Sequence, residues 1–458
     1  MKKSTQTRVE KDSLGEVQIP KDAYYGTTTA RAQGNFQISG IIAPKIFKKS
    51  LVIVKLAAAK TNYELGLLDK KQIEAITQAC EEFIDGKFDK DFTLDVFQAG
   101  AGTSYNMNAN EIIANRANEI LGGKKGEYNF VHPSNHVNIA QSTNDVIPTA
   151  TRIATLFLLP GLLKEIAALE SAIEKIAKKH ANLIKVGRTH LQDAVPITFG
   201  QEFDSYKEAL KKSRQLIEFM SEDLQILGIG GTAVGTGINA HPKFKTTMVK
   251  NLTELTGIEF RSAANLTETT NNMNSFMNFS AGLRSLAVNI MNFCLDLKLM
   301  NMGPKAGLSE ITLPAVQPGS SIMPGKVNPS IPECVEMICM QALGNDKTIE
   351  VACGKSNFEI NVFCPIIMYA LIQSMEILTN GLRTLREFSI DTLIINVDRI
   401  TELYENSLCT ATALSPKLGY VTTAEIVKAA LKNGTTIKHE VLSRKLMNEK
   451  ELENILNG

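Results

Sequence analysis

The feature that most constrains this chain is a set of long apolar seams whose spacing alternates between three and four residues. Leu162, Ile166, Leu169, Ile173 and Ile176 recur at spacings of 4, 3, 4 and 3. Phe203, Tyr206, Leu210, Ser213, Ile217, Met220 and Leu224 keep the same alternation, with Ser213 the one polar member. Leu283, Leu286, Ile290, Phe293, Leu297 and Met300 repeat it, and Ile367, Leu371, Met375, Leu378, Leu382 and Leu385 nearly do. A mean period near 3.5 puts successive apolar residues on one face of an α-helix, whereas a strand needs a period of two. Sustained over several turns, it is the pattern of long helices packed side by side in a bundle. Pro160-Gly161 interrupts the first seam, so a kink or break is expected there. Residues 281–299 are apolar on more than one side, which predicts burial on more than one side, in part by partner subunits.

The rest of the composition removes function classes. The formal net charge is +1, and the basic runs Lys48-Lys49, Lys178-Lys179 and Lys211-Lys212 are short, so no electrostatic case exists for nucleic acid or an anionic membrane. No apolar h-region follows Met1-Lys2-Lys3, so no signal peptide is expected. No uninterrupted apolar run reaches the roughly 18 residues of a membrane span. Seven cysteines are scattered without a CxxC, which argues against a disulfide framework or zinc knuckle and points to a reducing cytoplasm.

Between the periodic stretches lie segments dense in Ser, Thr, Asn, His and Lys: residues 98–110, 132–149, 187–200, 228–239 and 318–329. Four polar runs stand out, GAGTSYNMN at 100–108, QSTND at 141–145, GRTHLQD at 187–193 and GSSIMPGKVNP at 319–329. They supply neutral donors and a few cations, which suits a small substrate with two carboxylates. Taken singly, each is equally a set of helix caps and turns. Other chemistries are unsupported: no GxSxG elbow and no GxxxxGK[ST] loop occurs. GIGGTAVGTG at 228–237 follows a helical stretch rather than a strand, so it lacks the context of a dinucleotide loop. The histidines include no HExxH, and Pro133 between His132 and His136 argues against a shared helix face, so no metal is expected.

The run GSSIMPGKVNP at 319–329 resembles the signature of the fumarase/aspartase superfamily. RVEKDSLGEVQIPKDAYYG, GAGTSYNMNANE, HVNIAQSTNDVIPTA, GRTHLQDAVPITFGQEF, GGTAVGTG and LSPKLGY are similar to family segments in the expected order, so the resemblance spans essentially the whole chain. It implies a mainly all-α fold, a long central helical bundle with smaller N- and C-terminal helical domains. The corresponding boundaries are residues 1–141, 142–396 and 397–458. It also implies a cytoplasmic homotetramer whose active sites are shared between subunits. AYYG, GAGTS, QSTND and GLSEI resemble the aspartase branch, while GGTAVGTG, NFEINVF at 357–363 and NGTTI resemble fumarases. The resemblance therefore implies elimination of ammonia from L-aspartate to give fumarate, with dehydration of L-malate as the alternative.

The roles it implies are as follows. Ser320 is the general base, which requires an alkoxide or a strongly activated hydroxyl. Thr103, Ser142, Thr143 and Ser321 donate to the β-carboxylate, and Thr189, Lys326 and Asn328 hold the α-carboxylate. Asn144 and His190 face the leaving amino group. No cofactor is implied. Gly319, Pro324 and Gly325 flank the Ser320 loop, which is expected to close over substrate as a lid.

Overall fold

The computed structural model describes residues 6–456. Met1 to Lys3, on which the reading of the amino terminus rests, lie outside them. A hairpin opens the chain, β1 (Thr7–Asp12) against β2 (Gly15–Pro20). Then come α1 (Thr27–Asn35), α2 (Lys45–Glu64), α3 (Lys70–Ile84), α4 (Thr103–Ile120) and the long α5 (Thr143–Lys179). A second hairpin, β3 (Ile184–Thr189) with β4 (Gln192–Thr198), leads into α6 (Phe199–Ser221). The two-residue strands β5 (Ile226–Leu227) and β6 (Arg261–Ser262) pair in parallel around α7 (Phe244–Thr256). After them come α8 (Leu266–Asn271), α9 (Asn274–Met300), β7 (Ile311–Thr312), α10 (Ser330–Cys353) and α11 (Cys364–Leu385). The chain ends with β8 (Ile394–Ile395), α12 (Val397–Asn406), α13 (Ala411–Leu418), α14 (Tyr420–Asn433), α15 (Ile437–Ser443) and α16 (Glu449–Leu456).

Contacts divide the chain into two compact units. Unit 1 comprises Met1–Leu162, Gln215–Ser285 and Gln341–Ile377, and unit 2 comprises Leu163–Arg214, Leu286–Met340 and Leu378–Gly458. The seams behave as their spacing demands. Every member of the α9 and α11 seams is buried. Ser213, the polar member of the α6 seam, is buried with its hydroxyl accepting from Asn289 Nδ2 at 2.8 Å, so its polarity is satisfied within unit 2. In that unit Phe199 stacks on Phe203 with centroids 4.3 Å apart, Tyr206 and Phe293 meet Phe203 edge-on, and Tyr206 is tilted against Phe293 at 4.8 Å. Each buried ring contributes on the order of 1.5–3 kcal/mol by removal from water. In unit 1 Tyr105 plays the same part between Phe47 and Phe92.

Several expectations are corrected. The break at Pro160-Gly161 is absent, and α5 runs continuously through Pro148 and Pro160. The helix continues because Leu156 and Leu162, on either side of the proline, are buried in the core, and that packing outweighs one missing hydrogen bond. Residues 103–110 and 143–149 lie inside α4 and α5 rather than between helices, and residues 187–198 lie in a β-hairpin. The glycine-rich run at 228–237 does follow a strand, but β5 is only two residues long and no helix begins until Phe244. Among the described residues α5 is long and apolar enough to cross a membrane, yet 67% of its most apolar window is buried within the protein. Its apolar face is therefore used in packing the core. The cysteines are free, and six of the seven are buried, as small apolar fillers are.

Candidate active site

Within unit 1, four of the residues singled out from the sequence sit at two helix starts. Ser142 caps α5: its hydroxyl accepts from Asn144 N at 3.2 Å, and its own N–H donates to Asp145 Oδ1 at 3.0 Å. This is a reciprocal box of the Ser-x-x-Asp kind, so the QSTN run is a helix cap in its local structure. The cap leaves the Ser142 hydroxyl hydrogen free to donate outward. Thr143 accepts from Asn106 Nδ2 at 3.2 Å and likewise keeps its hydrogen. Asn144 donates its side-chain amide to Ala233 O at 2.7 Å, which ties this turn to the 228–239 loop. Three polar side chains thus ring the start of a 37-residue helix, where the helix dipole favours an anion.

Thr103 begins α4 after two residues with positive φ, Ala101 at 58° and Gly102 at 87°. A Cβ on Gly102 would meet Ile147 Cγ1 at 3.1 Å, and one on Gly100 would meet Val362 Cβ at 2.8 Å. Ala101 N donates to Val362 O at 2.7 Å. The GAGTS turn is therefore pinned against the NFEINVF segment, with Thr103 exposed at its end.

Beneath these residues lies a polar cluster that sequence reasoning missed. Lys55 is fully buried and donates to Asn138 Oδ1 at 3.0 Å and Gln141 Oε1 at 2.9 Å. Asn138 Oδ1 also accepts from Asn106 and Asn110, both at 3.2 Å. Asp145 Oδ2 accepts from Gly230 N at 3.1 Å and Thr232 N at 2.9 Å. Burial pushes the Asp145 carboxyl up to about 7 and pulls the Lys55 ammonium down to about 7, while their mutual attraction opposes both shifts. Every partner of Asp145 is an N–H donor, an arrangement that fits the carboxylate and not the acid. The signal was present in the sequence: Lys55 interrupts the apolar run at 51–59. His132 and His136 are structural, since His132 Nδ1 accepts from Ser134 N and Asn135 N and His136 Nδ1 accepts from His132 N. Among the described residues no group of three or more His, Cys, Asp or Glu is placed to hold a metal ion.

Within unit 2, Thr189 and His190 stand at the tip of the β3–β4 hairpin. Thr189 pairs with Gln192, and the two turn residues His190 and Leu191 have φ of 51° and 64°. A two-residue hairpin loop with both φ positive favours Asn-Gly, and a histidine and a leucine there store strain. Leu191 is 70% exposed, so no packing explains its conformation. The root of the hairpin is held rigidly. Lys185 donates to Glu202 Oε2 at 2.6 Å and Glu310 Oε2 at 2.8 Å, and Arg188 donates to Glu310 Oε1 at 2.9 Å.

Ser320 lies in an irregular loop of the same unit. Its Oγ accepts two backbone N–H bonds, from Ile322 at 3.2 Å and Met323 at 3.1 Å. The loop closes on itself through Gly319 N to Lys326 O at 2.8 Å and Asn328 Nδ2 to Gly319 O at 3.1 Å. A Cβ on Gly319 would sit 2.8 Å from both Lys326 O and Asn328 N, so only glycine fits. Ser321 through Val327, Lys326 among them, are exposed, leaving the loop open to solvent. No hydrogen bond among the described residues joins this loop to the hairpin tip.

The Lyase family matches residues 15–344, and the Fumarase C C-terminus family matches residues 411–457. The chain belongs to the lyase family. This lyase is 45% identical over 455 residues to an aspartate ammonia-lyase from a Bacillus species, covering 99% of this chain and 97% of that one. It is 41% identical to a fumarate hydratase class II from Brucella suis, covering 99% and 98%. Among solved structures it matches a fumarate lyase:delta crystallin from Brucella melitensis bound to cobalt, with TM-score 0.95, 43% identity and coverage of 99% and 98%. It matches a class II fumarase from Schistosoma mansoni with TM-score 0.94, 34% identity and 98% coverage of each. The lyase therefore has the mainly α-helical fold of that family.

Proposed function

We propose that this lyase eliminates ammonia from L-aspartate to give fumarate. The observation that carries the reading is the pair of turns GAGTS and QSTND, which resemble the aspartase branch and lie together at the starts of α4 and α5. Relatives named aspartate ammonia-lyase at 42–45% identity support it.

Elimination begins with removal of a Cβ proton next to the β-carboxylate. Ser320 Oγ takes the proton, and the C–H electron pair moves into the carboxylate to form an aci-carboxylate. Two N–H donors on Ser320 Oγ stabilise the alkoxide this demands, the preorganised-dipole form of activation. Thr103, Ser142, Thr143 and Ser321 donate to the carboxylate as its charge grows, which lowers the barrier only where the bonds strengthen in the transition state. The start of α5 contributes in the same sense. Thr189, Lys326 and Asn328 hold the α-carboxylate. The electron pair then returns to form the Cα–Cβ double bond as the C–N bond breaks, and ammonia leaves past Asn144 and His190.

The assembly in this reading is a cytoplasmic homotetramer with sites shared between subunits. Val288 and Leu295 on α9 and Met337 and Met340 on α10 are exposed apolar side chains that such an assembly would cover. An active monomer on a sizing column would refute it.

Fumarate hydratase is the second reading, favoured by relatives of that name at 41–42% identity and by the NFEINVF segment against which GAGTS is pinned. Incubation with L-aspartate and L-malate separately, following fumarate by ultraviolet absorbance, decides between them. Fumarate and ammonia in equal amounts from aspartate support the first reading, and fumarate from malate alone supports the second.

A further inference from the structure

The hydrogen bonds beneath the starts of α4 and α5 run in one direction, and a buried cation sets it. Lys55 of α2 has only protons to give, so the Asn138 side chain turns its Oδ1 towards it, at 3.0 Å. The other end of the same amide agrees: Nδ2 donates at 3.1 Å to Gln141 O, a group that only accepts. Asn106 of α4 therefore faces an acceptor and must present its Nδ2, which meets Asn138 Oδ1 at 3.2 Å. The second N–H of that nitrogen then falls on Thr143 Oγ1, also at 3.2 Å.

Asn106 is only 2% exposed, and its own Oδ1 has no partner. A buried carbonyl oxygen left unpaired costs about 1–3 kcal/mol. Flipping the amide would offer that oxygen the Thr143 hydroxyl, but it would also set it against Asn138 Oδ1, acceptor to acceptor. The unflipped amide persists because Lys55 holds Asn138. Thr143 ends the chain. It accepts from Asn106, among the described residues nothing takes its hydrogen, and it lines a cleft of about 470 Å3 together with Ser142. We propose that Asn106 is a positioning residue for the elimination: with Asn138 it carries the donor direction of Lys55 to Thr143 and fixes that hydroxyl as a donor to the substrate carboxylate. This role rests on the proposed donation from Thr143 to the carboxylate, and it is the same whether ammonia or water leaves. A hydroxyl already aimed at the growing charge supplies its dipole without reorganisation, so the effect belongs to kcat more than to ground-state binding. Asn110 is the internal control. It is fully buried and its Nδ2 reaches the same Asn138 Oδ1 at 3.2 Å, yet it makes no bond to Thr143.

The test is a double-mutant cycle read as kcat on L-aspartate, or on L-malate if that is the substrate, with fumarate binding followed by calorimetry. Thr143→Val alone should lower kcat by about 100-fold and Asn106→Leu alone by about 10-fold. Added to Thr143→Val, Asn106→Leu should lower kcat by less than about twofold more, because the group it acts through is gone. Asn110→Leu should keep kcat within about threefold of the parent. The fumarate Kd of Asn106→Leu should also stay within about threefold. Should Asn106→Leu fail to fold, Asn106→Asp decides. A carboxyl of the same shape offers Thr143 an acceptor, turns its hydrogen inward and should lower kcat only where Thr143 is present. Near-normal kcat in Asn106→Leu or Asn106→Asp, equal losses with and without Thr143, an equal loss in Asn110→Leu, or fumarate binding weakened as far as kcat would each overturn the assignment and leave Thr143 in the site. Near-normal kcat in Thr143→Val would instead remove Thr143 from the site, and the role of Asn106 with it.

Discussion

Replacing Lys185 by Met removes the cation from the root of the hairpin that carries Thr189 and His190. The side chain is 1% exposed and Glu310 is fully buried, with Glu202 at 24%. Bonds of 2.6 and 2.8 Å to one nitrogen place the two carboxylates within about 5 Å of each other. With the ammonium gone they repel by about 3 kcal/mol at an effective dielectric near 20, in line with the roughly 3–5 kcal/mol lost when one partner of a buried pair is deleted. Arg188 still holds Glu310, so the loss should not exceed that range. Unfolding a 458-residue chain carries an entropy near 1 kcal/mol per degree, so calorimetry at pH 8 should show Tm lowered by about 3–5 °C. The pH dependence has a definite sign. Burial already raises the Glu202 carboxyl, and loss of Lys185 raises it further. A carboxyl raised in the folded state binds more protons folded than unfolded, so the variant gains stability as pH falls. The deficit should shrink between pH 8 and pH 5. A deficit below about 1 °C at pH 8, or one that stays constant or grows in acid, would refute the reasoning.

Ser320→Ala should lower kcat by orders of magnitude while fumarate still binds in titration; near-normal turnover removes Ser320 as the base. Lys326→Ala should act chiefly on KM, and an unchanged KM would dismiss the clamp. Leu191→Gly relieves a positive φ and should raise thermal stability by about 0.5–1 kcal/mol while loosening His190 and lowering kcat/KM; a loss of stability would show that the leucine is not strained. Glu82→Gln breaks the pair with Arg116 at 2.7 Å, which holds the Glu82 carboxyl down to about 2. Because that value is depressed, the contribution is present above the ordinary 4.5 and lost as pH falls towards 2. Discounted for screening, it amounts to about 1 kcal/mol, so the variant and the parent should converge in acid unfolding below about pH 3.

How much of this was legible beforehand varies by element. The α9 and α11 seams were, because a 3.5-residue period has one solution in which all the apolar side chains share a face. The break at Pro160 did not form, because a helix breaker costs one local hydrogen bond while the burial of Leu156 and Leu162 on either side of it is a property of the tertiary packing. The residues 187–198 offered no clear alternation, with Gly187 and Pro196 inside the strands. Their hairpin depends on Lys185, Glu202 and Glu310, which are up to 125 residues apart in sequence.

The sequence by itself determined the helical bundle, the family and the polar turns, because periodicity and contiguous motifs are local properties of the chain. It also contained both readings of QSTND, cap and substrate holder, without ranking them. Tertiary structure decided that the turn is a cap whose hydroxyls keep their hydrogens for another partner. It decided that Ser320 Oγ receives two backbone N–H bonds, that His190 sits in a strained turn, and that Lys55 is buried. Each of these depends on where a donor, an acceptor or solvent lies in space, and no spacing along one strand of sequence encodes that.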